Sequence, residues 1–555
     1  MTESQEAHTY RTLSQRPISR RGLLAGGGIA MGSAFGLAAC RADEPSPQGA
    51  GGSSQPGAAF TMPTFRPSET VVADLEGSSD LMPAFLSYPA EPPRTVSDPP
   101  LAAGTAVSVF GTQGAPAVPL SNNDLWQAVA ADMGGAELDF IVAPNGEDQL
   151  QKLQTMLAGD DLTDIVQLNT IPQLPQVLEA KFADLTDHLA GDAVLDYPNL
   201  AALPTWAWEG CIYGGRIRTV PIVRGKLGAI PIARSDIFSQ AGVSLDWSDG
   251  DSFRQACRDV TDPAANRWAM AQNLDRIWVR VVAQMQGGPN GWRVDDAGGF
   301  THESETDEYA AALEIVMQMY TEDGVFHPET LTGGDPQAWF AAGNIVLQHS
   351  SYAVWGFLGR QYPDAEIASP RLPAWDGAGT AKNFVSTAPF QFSGIKIAEP
   401  SRVAELLRAL NYWAAPVGSA EYMLRAYGLE GQHHDLDGTD PVLTQLGQAE
   451  SPSPVSTVIS PAPAIYIPKQ ADGATALYDL QGEVVPDGIV DPSVGLYSEV
   501  EVTRGATAER EMGDAVIDIV AGRRPLADWP AVLEKWRSDA GDEIRAAFEA
   551  ANAER

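Results

Sequence analysis

The chain has 555 residues, with 36 Lys+Arg against 72 Asp+Glu, a net charge of −36 at pH 7 and three cysteines. So acidic a chain excludes a nucleic-acid partner, whose phosphates need Lys and Arg. Its length suffices for two or three domains with a large core, and no Cys/His spacing suits a zinc site.

The stretch "SRRGLLAGGGIAMGSAFGLAAC" (residues 19–40) comes first. Its apolar run is short for a membrane span. Gly26, Gly27, Gly28, Gly32 and Gly36 weaken it further as a helix, by roughly 1 kcal/mol each. A charged start, an apolar middle and a small-residue end make an export signal. Arg20-Arg21 resembles a twin-arginine signal, and Leu37-Ala38-Ala39-Cys40 resembles a bacterial lipobox. That resemblance implies cleavage before Cys40, a diacylglycerol on its sulfur, and a protein anchored on the outer face of the cell membrane. Residues 1–39 therefore read as a signal peptide. Residues 40–102, rich in Pro, Gly and Ser, read as a flexible tether.

From residue 105 strands and helices alternate. "TAVSVF" alternates as a strand, "NDLWQAVAADMG" has helical spacing and "ELDFIVAP" is a second strand. "DQLQKLQTMLAGDD" places Leu150, Leu153, Met156 and Leu157 on one helix face, and "TDIVQLN" is a short buried strand. This β-α-β-α-β order predicts an α/β lobe with a largely parallel sheet. "GAIPIA" and "NIVLQHS" predict strands of a second sheet. Ligands of such sheets bind beyond the carboxyl ends of the strands, which directs attention to Asn169 and to the residues after Leu347. The chain closes with two helices, for which Asp528 is the expected N-cap and Pro530 sits in the first turn.

The ordered stretches "DIVQLN", "FADLTDHL", "YGGRIRTVPIVRGKLGAIPIARSDIFSQAGV", "GGPNGWRVDDAGGFTHESETDEYAAALEIVMQMYTEDGVFHPE", "WFAAGNIVLQHSSYAVWG" and "AYGLEGQHHDLDGTDPVLTQLG" resemble the extracellular solute-binding lipoproteins of bacterial ABC importers, in the carbohydrate-type branch. The resemblance covers residues 103–550. It implies a two-lobed α/β periplasmic-binding-protein fold of class II type, with a ligand cleft between lobes joined by hinge strands. The N-terminal lobe would comprise 103–222 and 374–450, and the C-terminal lobe 223–373 and 451–555. The chain would cross near 221–226 and return near 369–373. The pattern departs from the family at Cys211-Ile212-Tyr213-Gly214-Gly215-Arg216, where an Asp-Gly-Lys is usual.

Sugar recognition needs aromatic faces for pyranose C–H surfaces and planar polar groups for hydroxyl pairs. Most of the thirteen tryptophans should be structural, among them Trp413, Trp529 and Trp536. The resemblance points to Trp355, with Tyr352, where maltodextrin-type receptors place a stacking aromatic. "QNLDRIWVR" puts Asn273, Arg276 and Trp278 at a helix start facing the cleft, and a solvated helix end is the plainer alternative. Arg224 and Lys226 lie in the hinge crossover. They either pair with acidic neighbours or meet a carboxylated sugar of the uronate type.

His433-His434-Asp435 lacks a third ligand, and "DDAGG" and "DLDGTD" lack the spacing of a calcium loop, so no metal and no cofactor are expected. Cys211 and Cys257 leave a disulfide open. The expected function is capture of a sugar or oligosaccharide by a monomer and its delivery to ABC permease subunits, without chemistry. A peptide- or other solute-binding receptor is the alternative. An exported glycosidase with paired carboxylates is the weaker one, since neither a Gly-x-Ser-x-Gly elbow nor a His-Glu-x-x-His motif is present.

Overall fold

The alternating segment after residue 105 forms the strand Ala106–Thr112, next to the edge of a five-stranded sheet. The order across that sheet is Glu137–Ala143, Ala106–Thr112, Ile165–Leu168, Gln391–Ile395, Val220–Ile222. The first three strands are parallel, with Val109 opposite Ile165. Gln391–Ile395 runs antiparallel to both its neighbours. All four residues of Ile165–Leu168 are buried, as suits a strand covered on both faces.

The structure is a computed structural model. It describes residues 61–554 apart from 114–117, 145, 272, 362–364, 388 and 390, and the side chains of 357 and 359–361. These residues belong to one compact unit, Ser54–Arg555. The signal peptide and Cys40 lie outside the described residues.

Helices cover the sheet for local reasons. In Asp124–Asp132, Asn123 caps the start by accepting from the Trp126 N–H at 2.9 Å, and Leu125, Trp126 and Val129 face the core. Glu147–Gly159 ends where Asp160 turns left-handed at φ 54°. One core joins these elements to Leu406, Leu410 and Trp413 of the helix Pro400–Trp413.

A second sheet orders Leu347–Ser351, Ala229–Arg234 and Ile367–Ala368, all antiparallel. Its core draws on Asp307–Thr321, Ala506–Val520 and the two closing helices Trp529–Trp536 and Asp542–Ala553. Trp529 and Trp536 are buried there. Asp528 does not act as the expected cap: its backbone is already helical and its carboxylate pairs with Arg524 at 3.3 Å.

The lobes exchange chain at other points than the resemblance implied. Leu372 and Ala381 still belong to the second core, and Phe392 to the first. The return therefore falls at 385–391 and not at 369–373. Val455, Val458 and Ile459 belong to the first core, so a third crossing follows at 459–465. The crossings are tied to one another: Ser386 N–H donates to Lys226 O at 3.0 Å, and Val223 N–H to Ser460 Oγ at 2.8 Å.

The tether reading of 40–102 fails over its second half. The Pro/Gly/Ser composition is concentrated before residue 60, whereas Val71, Met82, Phe85, Tyr88 and Leu101 are apolar and buried. The chain leaves the first lobe at Thr64 and Arg66, whose amides donate to Gly191 O and Ala201 O. It then joins the core that holds Leu227, Ile230 and Ile465. Met82 N–H donates to Gln481 Oε1 at 2.9 Å and Met82 O accepts from Gln481 Nε2 at 2.6 Å, while Ala84–Phe85 pairs in parallel with Ile465–Tyr466. It returns to the first lobe, where Tyr88 donates to Ser419 O and the Thr95 and Val96 amides donate to Glu421. Residues 61–102 thus form a strap.

Candidate functional site

Three residues of one helical run, Arg276, Arg280 and Gln284, recur at intervals of four and so share one face. The run opens with a wide turn, Leu274–Trp278, and continues as the helix Val279–Met285. This face lines a cavity of about 520 Å³, together with Asn290, His349, Phe384 and Asp491. The cavity sits at the carboxyl end of Leu347–Ser351 and the amino end of Ala229–Arg234, where the chain enters the second lobe.

Arg280 is held rigidly. It pairs with Glu303 at 2.7 Å, donates through Nη2 to Asn290 Oδ1 at 3.2 Å and lies 5.5 Å over the Phe384 ring. Arg276 is more available. Its side chain is 69% exposed and its ion pair is with its neighbour Asp275, at 3.7 Å. Gln284 is 2% exposed, and its Nε2 has no hydrogen-bond partner among the described residues. A buried donor of that kind is costly unless something accepts from it. Burial, with Arg280 adding, pushes the His349 imidazole down to about 4, so it is neutral at physiological pH. Burial also raises the carboxyls of Glu303 and Asp491.

The first lobe carries a polar pair that is not among the residues lining this cavity. Asn169, at the carboxyl end of Ile165–Leu168, donates to Gln149 Oε1 at 2.8 Å. Gln149 is buried, and its Nε2 lacks a partner among the described residues. The loop 491–499 joins the lobes beside the cavity. Glu499 accepts from the Gln173 N–H at 2.9 Å, and Tyr497 donates to Ile171 O at 3.4 Å.

The sequence-predicted residues scatter. Arg276 lines the cavity, and Asn273 is an exposed residue just before the wide turn. Trp278 is a core residue whose indole donates to Ala271 O. Trp355 is also core, at 4% exposure, packed with Leu477 and Leu358. Tyr352 accepts from the Gly225 N–H at 3.0 Å and braces the crossover. Arg224 is exposed there. Lys226 takes the pairing alternative: it binds Asp80 of the strap at 2.8 Å and lies 5.5 Å over Trp206. Cys211 and Cys257 are free and sit in different cores, so they form no bridge. His433 binds Glu450 at 3.1 Å and His434 binds Tyr427 O, and Asp295 closes a turn onto Ala297 and Gly299. Among the described residues no group of three His, Cys, Asp or Glu is placed to hold a metal. Reasoning from sequence missed Arg280, Gln284 and Asn290, although the four-residue polar spacing in an otherwise apolar run was visible.

No protein-family model matches the chain. It is similar to the polygalacturonan/rhamnogalacturonan-binding protein YtcQ of Bacillus subtilis, at 21% identity over 444 residues, which covers 75% of this chain and 85% of that one. Among solved structures, alginate-binding protein AlgQ2 without calcium ion superposes with a TM-score of 0.58 at 14% identity, over 81% of this chain and 98% of that one. An extracellular solute-binding protein from Bifidobacterium longum subsp. infantis gives 0.59 at 13%, over 80% and 97%. The chain shares the fold of these solute-binding proteins. The relatives named are binding proteins. The chain passes between the cores at 223–228, 385–391 and 459–465. Among the described residues no helix is long and apolar enough to cross a membrane.

Proposed function

We propose that the protein captures an oligosaccharide bearing carboxylate groups and presents it to an ABC permease, held at the outer face of the membrane by a lipid on Cys40. The observation that carries this reading is the Arg276–Arg280–Gln284 face lining the cavity at the lobe crossing. A guanidinium is suited to a sugar carboxylate through paired N–H donors. The Gln284 amide, which lines the cavity, supplies an unspent donor for a hydroxyl. The cavity volume is typical of ligand pockets, and the similarity to a polygalacturonan-binding protein supports the same ligand class. A neutral oligosaccharide is the second reading, favoured by the Glu303 carboxylate that already neutralises Arg280.

Calorimetric titration with trigalacturonate, maltotriose and a short peptide separates these readings. Trigalacturonate should bind, more weakly as salt rises, and Arg276→Ala should weaken it about tenfold. Equal affinity for the two saccharides would remove the uronate reading, and binding of the peptide alone would remove the sugar. Incorporation of labelled palmitate into the parent but not into Cys40→Ala tests the anchor.

A further inference from the structure

Asn290 stands between three things that must move together for a two-lobed receptor to respond to its ligand. Its Oδ1 accepts from Arg280, the rigid guanidinium of the cavity. Its single amide nitrogen donates to Val385 O at 3.2 Å and to Ile489 O at 3.1 Å. Val385 opens the second hinge crossing. Ile489 begins the loop whose far end, Tyr497 and Glu499, holds the opposite lobe at Ile171 and Gln173. Val385 N–H also donates to Ile489 O, and Ile489 N–H to Asn383 O, so crossing and loop move as a pair.

We propose that Asn290 is the positioning residue that transmits occupancy of the cavity to the contact between the lobes. This rests on the functional reading above, which places the ligand at that cavity. A ligand changes a conformational equilibrium only through contacts that differ between the two states. Arg280 is fixed to the body of the second lobe by Glu303, and Asn290 is its link to the hinge. When the crossing swings, the Val385 and Ile489 carbonyls shift, the amide must follow them, and Arg280 loses an acceptor. The cavity floor is therefore in its binding geometry when the loop 491–499 is seated on the first lobe. A ligand held by Arg280 favours that seating.

The Gln173 amide reports the seating directly, because its partner is Glu499. Hydrogen exchange over residues 170–175 is to be followed in the full chain, with and without saturating trigalacturonate. The parent should be protected by ligand. Asn290→Asp keeps an acceptor for Arg280 but not the donor to the two carbonyls, and it should bind without that protection. Glu499→Ala, at an exposed position, breaks the same path from its far end and carries little risk to folding. Each variant should speed ligand release about tenfold, and the double variant should be no worse than either alone. Full protection in Asn290→Asp at saturation, or additive losses in the double variant, would overturn the proposal. A parent that binds trigalacturonate without protecting 170–175 would overturn this inference alone. A parent that does not bind it would overturn the functional reading and this inference together.

Discussion

Replacing Trp355 by Ala should cost stability and leave affinity intact. The indole lies in the core that links the second sheet to the helix Ala471–Val484, with Leu358, Leu477 and Ile232 around it. Its 4% exposure leaves no free face for a sugar. A Cβ added at Gly473 would come within 3.1 Å of its Nε1, which measures how closely that helix packs on it. A buried aromatic side chain removes about 150–250 Å² from water. At about 25 cal/mol per Å² that is about 4–6 kcal/mol, and the methyl that Ala retains brings the expected loss to about 3–5 kcal/mol. The melting temperature should fall by several degrees, measured by circular dichroism, while the dissociation constant for trigalacturonate stays within twofold by calorimetry. A tenfold weaker constant with an unchanged melting curve would refute the reasoning and return Trp355 to the ligand.

Gln284→Leu should act in opposite directions on stability and affinity: it removes a buried unpaired donor and so raises the melting temperature, yet it weakens ligand by about 1–3 kcal/mol. Gln481→Leu leaves both backbone groups of Met82 unpaired, and about 2–4 kcal/mol should be lost, with proteolysis newly appearing in residues 61–102. Burial, with Glu509 and Asp491 nearby, pushes the Glu501 carboxyl up to about 7 from 4.5. The folded state thus holds this proton more tightly than the unfolded one, so its stabilising effect is complete below pH 4.5 and is lost as pH rises through about 7. Glu501→Gln should melt higher than the parent at about pH 8 and equally at about pH 4.

The strands of the first lobe were legible because their patterns are strong. Val107 and Val109 alternate with polar positions, and Ile165 to Leu168 is a short buried run. The hinge return was misplaced by more than ten residues, since no local pattern marks where a chain passes from one core to another. The site was legible in part. Arg276 was named because its segment is polar, and it lines the cavity, but Trp355 was read as a platform and Trp278 as facing the cleft when both rings are buried in cores. Side-chain direction depends on which helix packs behind a strand, here Ala471–Val484, more than a hundred residues later in the chain. Asn290 was illegible for a related reason: its partners at 385 and 489 are distant in sequence. The strap was lost because the Pro/Gly/Ser composition of the preceding stretch was extended over apolar residues that bury themselves.

A loop with both ends on the first lobe and its middle on the second is a leash. It enters at Thr64 and Arg66, is made fast at Met82 and Asp80, and comes back at Tyr88 and Thr95. A leash sets the greatest excursion of what it holds without choosing a position within that range. Ser79 O accepts from the indole of Trp206 in the first core at 2.9 Å, and Met82 is tied to Gln481, so the short link between Ser79 and Met82 should bear the strain when the lobes part. Inserting residues between Ser79 and Met82 should therefore let the lobes open further and leave the closed form unchanged.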